Sequence, residues 1–192
     1  MPRRTTFAVV VAALALAACG GKGLAPEPGT GQVPVVASGV IVLPEAQRRP
    51  LPAFSGTTLD GTHLDLASLR GRPLVLNFWS SWCGPCRAEQ QGLELASKTL
   101  AKLGVRLVGV NIRDDRGAAA SYLQEFGVGY PSLFDRPAVL PARLGDLGPL
   151  GPPYTLIVDA DGRIVARITN ALPGGDPKRQ AALLTDLVER VT

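Results

Sequence analysis

The chain has 192 residues, of which 46% are apolar, enough for one domain with a substantial hydrophobic core. The formal net charge is +4, but Arg3 and Arg4 lie in a segment that we expect to be removed, and subtracting them leaves only +2. So small a charge does not predict a nucleic-acid-binding surface. The three cysteines are an odd number, which in an exported protein indicates a separate role for one of them.

The first 18 residues have the pattern of an export signal. Arg3 and Arg4 form a basic region, and residues 7–18 are uncharged and apolar. This apolar run is too short to span a bilayer as a helix but fits a signal peptide. Leu16-Ala17-Ala18-Cys19 resembles the lipobox of bacterial lipoproteins, which implies that residues 1–18 are removed and that lipidated Cys19 anchors the protein to a membrane. The alternative is an ordinary signal peptide beside an unrelated cysteine.

Residues 19–50 are expected to form a flexible tether. Glycine and proline are frequent at its beginning and prevent regular structure. Within this segment Val35 to Leu43 is apolar, and a short strand packed on the domain is the alternative for that part. The globular domain is expected over residues 51–192.

The domain opens with a predicted β-hairpin, in which Asp60-Gly61 supplies the tight turn between Leu51–Thr58 and Thr62–Leu66. One helical turn follows and ends at Gly71. Leu74–Trp79 is apolar at five of its six positions, which is typical of a central parallel strand covered on both faces. This strand leads directly into a pair of cysteines.

The rest of the domain alternates between predicted helices and strands. The predicted elements are a helix from about Cys86 to Leu103, a strand over Val105–Ile112, a helix over Gly117–Phe126, an extended segment over Tyr130–Phe134, a short helix over Ala138–Leu144, a loop over Gly145–Gly151, a second hairpin formed by Tyr154–Val158 and Arg163–Ile168, and a last helix that begins at Asp176-Pro177. This order predicts an α/β fold with a mixed sheet and helices on both faces.

Cys83 and Cys86 are separated by two residues across the predicted start of a helix. Thiol–disulfide exchange needs one thiolate that attacks and a second thiol that displaces the partner from the mixed disulfide. Because the free N–H groups and the dipole at a helix N-terminus favour an anion on the first cysteine, Cys83 is the predicted nucleophile and Cys86 the resolving thiol. Gly84 permits a tight turn, and Pro85 suits the first helical turn.

Two other interpretations of the pair are weaker. A closed zinc site needs four ligands, and without Cys19 only Cys83, Cys86 and His63 remain as sulfur or imidazole ligands, so no metal is predicted. An inert structural disulfide would constrain little that the adjoining secondary structure does not already hold. The expected redox group is the Cys83–Cys86 disulfide itself, with no further cofactor.

Two motifs carry a resemblance to a known family. Asn77–Glu89, with the sequence NFWSSWCGPCRAE, resembles the active-site segment of the TlpA/ResA family of thioredoxin-like proteins. Gly151–Asp159, with the sequence GPPYTLIVD, is similar to the second signature of the same family. The resemblance covers about residues 50–192 and implies a thioredoxin-like α/β fold with an N-terminal β-hairpin and a central helix–strand insertion over about Arg113–Phe134.

The resemblance also implies roles for individual residues. Pro153 corresponds to the family's cis-proline, which faces the cysteines, and Pro152 lies at a position that tunes partner choice. The implied substrate groove is formed by Trp82, Gly84, Pro85, Pro152 and Pro153.

Glu89 is the residue that the resemblance implies as a proton carrier. Asn77 takes the place of the buried aspartate of thioredoxin, so proton transfer needs another group. Glu89 matches the family's acidic residue near the cysteines, and burial would raise its pKa enough for that role. An exposed helix glutamate is the alternative.

Together these features imply a membrane-tethered thiol–disulfide oxidoreductase outside the cytoplasm. The implied partners are protein thiols and disulfides, among them the haem-attachment cysteines of apocytochrome c, and a membrane electron donor or acceptor. Oxidation of newly exported proteins stays open, because direction depends on the potential of the pair. A peroxiredoxin-like peroxidase, whose Pro-x-x-x-Thr-x-x-Cys arrangement is missing here, and a non-catalytic binding lipoprotein are the other classes.

Overall fold

The structure, a computed structural model, describes residues 35–37 and 39–192. The strands are β1 (Val35–Ala37), β2 (Val40–Val42), β3 (Ser55–Thr57), β4 (His63–Asp65), β5 (Leu74–Trp79), β6 (Arg106–Ile112), β7 (Ser132–Asp135), β8 (Tyr154–Val158) and β9 (Ile164–Ile168). The helices are α1 (Gly84–Lys102), α2 (Arg116–Phe126), α3 (Val139–Leu144) and α4 (Pro177–Val191), with short 3-10 helices at Glu45–Gln47, Leu66–Leu69 and Gly145–Leu147. The signal peptide and Cys19 lie outside the described residues.

A mixed seven-stranded sheet forms the centre of the domain, in the order β1-β2-β9-β8-β5-β6-β7. Strands β5, β6 and β7 are parallel, whereas β8 is antiparallel to both β5 and β9. All six residues of β5 are buried, as its apolar sequence predicts. The separate hairpin β3–β4 turns at Asp60-Gly61 as predicted, with Thr57 opposite His63. The predicted α/β class and the N-terminal hairpin are therefore confirmed.

Alternate residues of β5 supply the two faces of the sheet. Val75 packs in a core with apolar residues of α1 and α4, including Leu93 and Leu184. Leu76 and Phe78 belong to the opposite core, which α3 and the turn after the hairpin cover. Helices thus lie on both faces, and α1 is fixed over the centre of the sheet, where its first turn carries the cysteines.

The N-terminal part of the described chain extends the sheet beyond the predicted boundary at residue 51. Strand β2 pairs with β9, with Val40 opposite Ile168, and Val40 and Leu43 are buried in opposite cores. Pro50 also bridges to Arg163. Residues 39–50 are therefore part of the fold and not of a tether, because their apolar side chains cover the edge of the sheet beside β9.

The helix ends follow their sequence signals. Asp176 accepts hydrogen bonds from the backbone N–H groups of Lys178 and Arg179, which fixes the start of α4. Gly104, with φ of 79°, follows α1 in the left-handed conformation that glycine adopts without strain. Within residues 35–37 and 39–192, no helix is long and apolar enough to cross a membrane.

Candidate active site

The cysteine pair lies where the chain passes from β5 into α1. Cys83 is the N-cap residue of α1, and it forms a disulfide with Cys86, with an S–S distance of 2.05 Å and a Cα–Cα distance of 5.2 Å. The backbone N–H of Cys86 donates a hydrogen bond of 3.1 Å to Cys83 Sγ. Because this N–H belongs to the free end of the helix, it is placed to stabilise a thiolate on Cys83 after reduction.

The surface around the disulfide consists of the residues between and before the cysteines. Cys83 is 4% exposed and Cys86 only 1%, whereas Gly84 and Pro85 are exposed and Trp82 is 60% exposed. A macromolecular partner therefore meets the Trp82, Gly84 and Pro85 surface before it reaches a sulfur atom. Three of the predicted groove residues are thus brought together at the pair.

The predicted cis-proline lies at the same edge of the sheet. The Pro152–Pro153 peptide bond is cis, Pro153 is buried and Pro152 half-buried. In the antiparallel pair of β5 and β8, Phe78 lies opposite Tyr154, so Pro153 precedes β8 beside the end of β5 from which the cysteine segment departs. The topology therefore brings the two sequence motifs to one place.

Glu89 is buried beneath the first turns of α1. Its side chain is 1% exposed, and the alternative of an exposed glutamate is wrong. Asn77 Nδ2 donates to Glu89 Oε1 at 3.0 Å, and the backbone N–H of Leu172 donates to Oε2 at 2.7 Å. Burial raises the pKa of Glu89 from its ordinary value of 4.5 to about 7, and the two hydrogen bonds offset that effect only in part. The carboxyl is therefore able to exchange a proton near neutral pH.

Asp114, which the sequence analysis did not select, fixes the turn that precedes Cys83. Its carboxylate accepts hydrogen bonds from the backbone N–H of Ser81 at 2.5 Å, the Ser81 hydroxyl at 2.8 Å and Asn111 Nδ2 at 2.8 Å. Although burial alone would raise the pKa of Asp114, these hydrogen bonds, with one from the Asp115 N–H, hold it below its ordinary value. Asp114 is therefore a fixed charge that orients the turn, in contrast to Glu89.

Trp82 is held by the same turn. Its indole N–H donates to the carbonyl oxygen of Arg113 at 3.0 Å, and Arg113 has a positive φ of 50°, which is uncommon for a residue other than glycine. The only sequence signal for Asp114 and Arg113 is their position directly after the buried strand β6. In parallel strands that position lies at the same sheet edge as the cysteines.

Helix α2 closes the site on the side of Cys86. Trp79, Cys83, Cys86, Ala119 and Tyr122 form a small buried cluster. The Tyr122 hydroxyl donates to the backbone carbonyl of Cys86 at 3.1 Å, and its ring lies 4.6 Å from that of Trp79. The helix of the predicted insertion thus packs directly on the cysteine pair.

A disulfide between two cysteines that are separated by two residues at the N-terminus of a helix, with a cis-proline before the adjoining strand, defines the class of thioredoxin-like proteins. Residues 46–184 match the family model described as Redoxin. The chain belongs to this redoxin family, which confirms the predicted thioredoxin-like relationship.

Named relatives are thiol–disulfide proteins. The chain is 41% identical to the thiol:disulfide interchange protein DsbE of Yersinia pestis, over 60% of each chain, and 30% identical to the thiol-disulfide oxidoreductase ResA of Bacillus subtilis, over 63% of this chain and 66% of ResA. The structure of a secreted thiol-disulfide isomerase from Corynebacterium glutamicum matches with a TM-score of 0.66 at 30% identity, over 77% of this chain and 92% of that chain. The chain thus covers about three fifths of the length of the DsbE relative.

Proposed function

We propose that the protein is a thiol–disulfide oxidoreductase that exchanges disulfides with protein substrates through Cys83 and Cys86. The observation that carries this proposal is the Cys83–Cys86 disulfide at the N-terminus of α1, at the end of the central strand. The names of the relatives support the same activity. The exposed surface beside the buried sulfur atoms favours a macromolecular substrate.

The exchange proceeds in two steps that balance. The Cys83 thiolate attacks one sulfur of a substrate disulfide, the substrate S–S bond breaks, and its other sulfur leaves and takes up a proton. The Cys86 thiol then loses its proton, and its sulfur attacks Cys83 Sγ as the second substrate sulfur leaves. Two electrons pass to the substrate and the enzyme disulfide forms. The reverse sequence oxidises a substrate dithiol.

Glu89 serves in this proposal as the proton carrier for the pair. The resolving thiol must lose a proton in one direction and regain it in the other, and both cysteines are nearly closed to solvent. A carboxyl with a pKa of about 7 on the same helix is suited to both directions near neutral pH. Asn77 of β5 contacts Glu89 of α1 but cannot ionise, so Glu89 is the acidic member of this buried pair.

We further propose that the protein acts outside the cytoplasm, anchored to a membrane by lipidated Cys19. The export signal and the lipobox-like Leu16-Ala17-Ala18-Cys19 support this location, as does the similarity to a secreted protein. The family resemblance favours reduction of the haem-attachment cysteines of apocytochrome c, with electrons from a membrane donor. Redox direction is then decided by the reduction potential of the Cys83–Cys86 couple: a strongly reducing value supports this role, and an oxidising value supports disulfide formation in exported proteins.

Cysteine substitutions test the activity. Cys83→Ser is expected to abolish exchange with a model protein disulfide, because no attacking thiolate remains. Cys86→Ser is the matched control: it retains the nucleophile and is expected to accumulate a mixed disulfide, visible by mass spectrometry as a covalent adduct on Cys83. Undiminished exchange by Cys83→Ser would contradict the proposal.

A further inference from the structure

Helix α4 carries one polar residue on its buried face. Gln180 is 3% exposed and shares this face with apolar residues such as Leu184 and Leu187, at helical spacing. Its Nε2 donates a hydrogen bond of 3.0 Å to the backbone carbonyl of Leu172. The N–H of the same residue, Leu172, donates to Glu89 Oε2 at 2.7 Å.

We propose that Gln180 is a positioning residue for Glu89, which it reaches through Leu172. By holding the Leu172 carbonyl, Gln180 keeps the Leu172 N–H aimed at the Glu89 carboxylate and so sets the pH at which this carboxyl exchanges its proton. The proposal deepens the role of Glu89 as proton carrier and rests on the proposed function. It assigns part of the control of the active site to the last helix of the chain.

Packing alone does not account for a glutamine at this position. Gln180 Oε1 is buried and has no hydrogen-bond partner among the described residues, so the amide is only half satisfied. A buried polar atom without a partner is unfavourable, and an apolar side chain of similar length would avoid that penalty between α1 and α4. The bond to Leu172 is the interaction that such an apolar residue would lose.

Helix α1 is shaped to accept Gln180. Gly92 lies one turn after Glu89 on α1, and a Cβ atom at Gly92 would stand 2.6 Å from both Cβ and Oε1 of Gln180. That distance is too short for any real contact, so the glycine makes room for the amide. Helix α1 therefore supplies both the Glu89 carboxyl and, at Gly92, the space for Gln180.

The groups around Glu89 fix the sign of the expected effect. Asn77 from β5 and Leu172 from the loop before α4 donate to the carboxylate, and Cys86 precedes Glu89 by one turn of α1. The titratable phenols that feel its charge, Tyr122 and Tyr130, have pKa values raised mainly by burial and stay neutral near pH 7. Because a hydrogen bond to the charged form lowers a pKa, loss of the Leu172 bond in a site that stays buried raises the pKa of Glu89.

Gln180→Met tests the proposal in the full chain, because methionine keeps the length of the side chain and removes the donor. The pKa of Glu89, followed through its carboxyl carbon by NMR, is expected to rise by roughly half a pH unit. The midpoint of the pH–rate profile of exchange is expected to move upward with it. Ala182→Met, on the exposed side of α4, is the matched control and should leave both unchanged.

Gly92→Ala provides a second test, since it displaces Gln180 without changing the amide and is expected to raise the same pKa. An unchanged pKa of Glu89 in Gln180→Met and Gly92→Ala would overturn the proposal. A fall towards the ordinary value of 4.5 would overturn it as well, because it would mean that the loop opens to water and that Gln180 has only a structural role. The NMR titration does not depend on turnover, so absence of exchange by the unmodified protein would refute the proposed function and leave this measurement interpretable.

Discussion

Two buried carboxyl groups near the cysteine pair, Asp114 and Glu89, have pKa values that their surroundings shift in opposite directions. Asp114 accepts hydrogen bonds from three residues and stays a carboxylate, whereas Glu89 accepts only two and is more completely buried. Burial and hydrogen bonding oppose each other, and the balance between them decides whether the pKa rises or falls. Glu89 is therefore the carboxyl that can change its charge near neutral pH.

Glu89→Gln is expected to slow exchange at pH 7 by roughly 10²- to 10⁴-fold, as is usual when a positioned acid–base group is removed. The rate should also lose its inflection near pH 7, because glutamine does not titrate. Stopped-flow measurement of exchange with a model protein disulfide across pH 5–9 tests this. Glu189→Gln, an exposed change on α4, is the control, and an identical pH profile for Glu89→Gln and the unmodified protein would contradict the role.

The same substitution is expected to alter the pH dependence of stability. The pKa of Glu89 is higher in the folded protein than in the unfolded chain. The stabilisation that this group contributes to folding is therefore complete below pH 4.5, the ordinary pKa of a glutamate, and is lost as the pH rises through about 7. The unmodified protein should lose about 3 kcal/mol of unfolding free energy over that window from this group. Urea unfolding at a series of pH values should show that Glu89→Gln loses less unfolding free energy over this window. An equal dependence of unfolding free energy on pH in the two proteins would show that the carboxyl is not buried in solution.

At the scale of elements, the sequence was most informative where apolar runs were long. β5, β6 and α1 are identified by hydrophobic pattern, and Asp60-Gly61 and Asp176-Pro177 specify a turn and a helix start from short-range chemistry. Strand β2 has only three residues and follows a glycine- and proline-rich stretch. Strand β2 forms by pairing with β9, which lies far along the chain. Local composition alone therefore predicts a tether at a position where tertiary packing produces a strand.

Leu43→Ala tests whether that segment is part of the fold. Leu43 is buried against the core on one face of the sheet, so truncation to alanine is expected to lower the free energy of unfolding by about 2–4 kcal/mol. Gln47→Ala, an exposed change in the same segment, should have almost no effect. If the segment were a tether, neither change would affect the stability of the domain. Equal urea midpoints for the two variants would therefore support the tether interpretation.

At the scale of the whole molecule, the fold collects at one sheet edge residues that are far apart in the sequence. The cysteine segment follows β5, Asp114 follows β6, and Pro153 precedes β8. The cysteines and Pro153 are recognisable from motifs, because their chemistry requires particular residues at fixed spacing. Asp114 and Gln180 are not, since they act through single hydrogen bonds to residues that only the folded chain brings near.

The proposed membrane anchor is Cys19, which belongs to the part of the chain before the described residues. Cys19→Ser is expected to move the mature protein from the membrane fraction to the soluble extracytoplasmic fraction, because the acyl chains, each buried methylene of which contributes about 0.8 kcal/mol, would be absent. Fractionation followed by immunoblotting measures this distribution. Cys83→Ser should remain membrane-bound, and purified Cys19→Ser should keep full exchange activity, since the disulfide and Glu89 are unaltered. Retention of Cys19→Ser in the membrane would show that another segment anchors the protein.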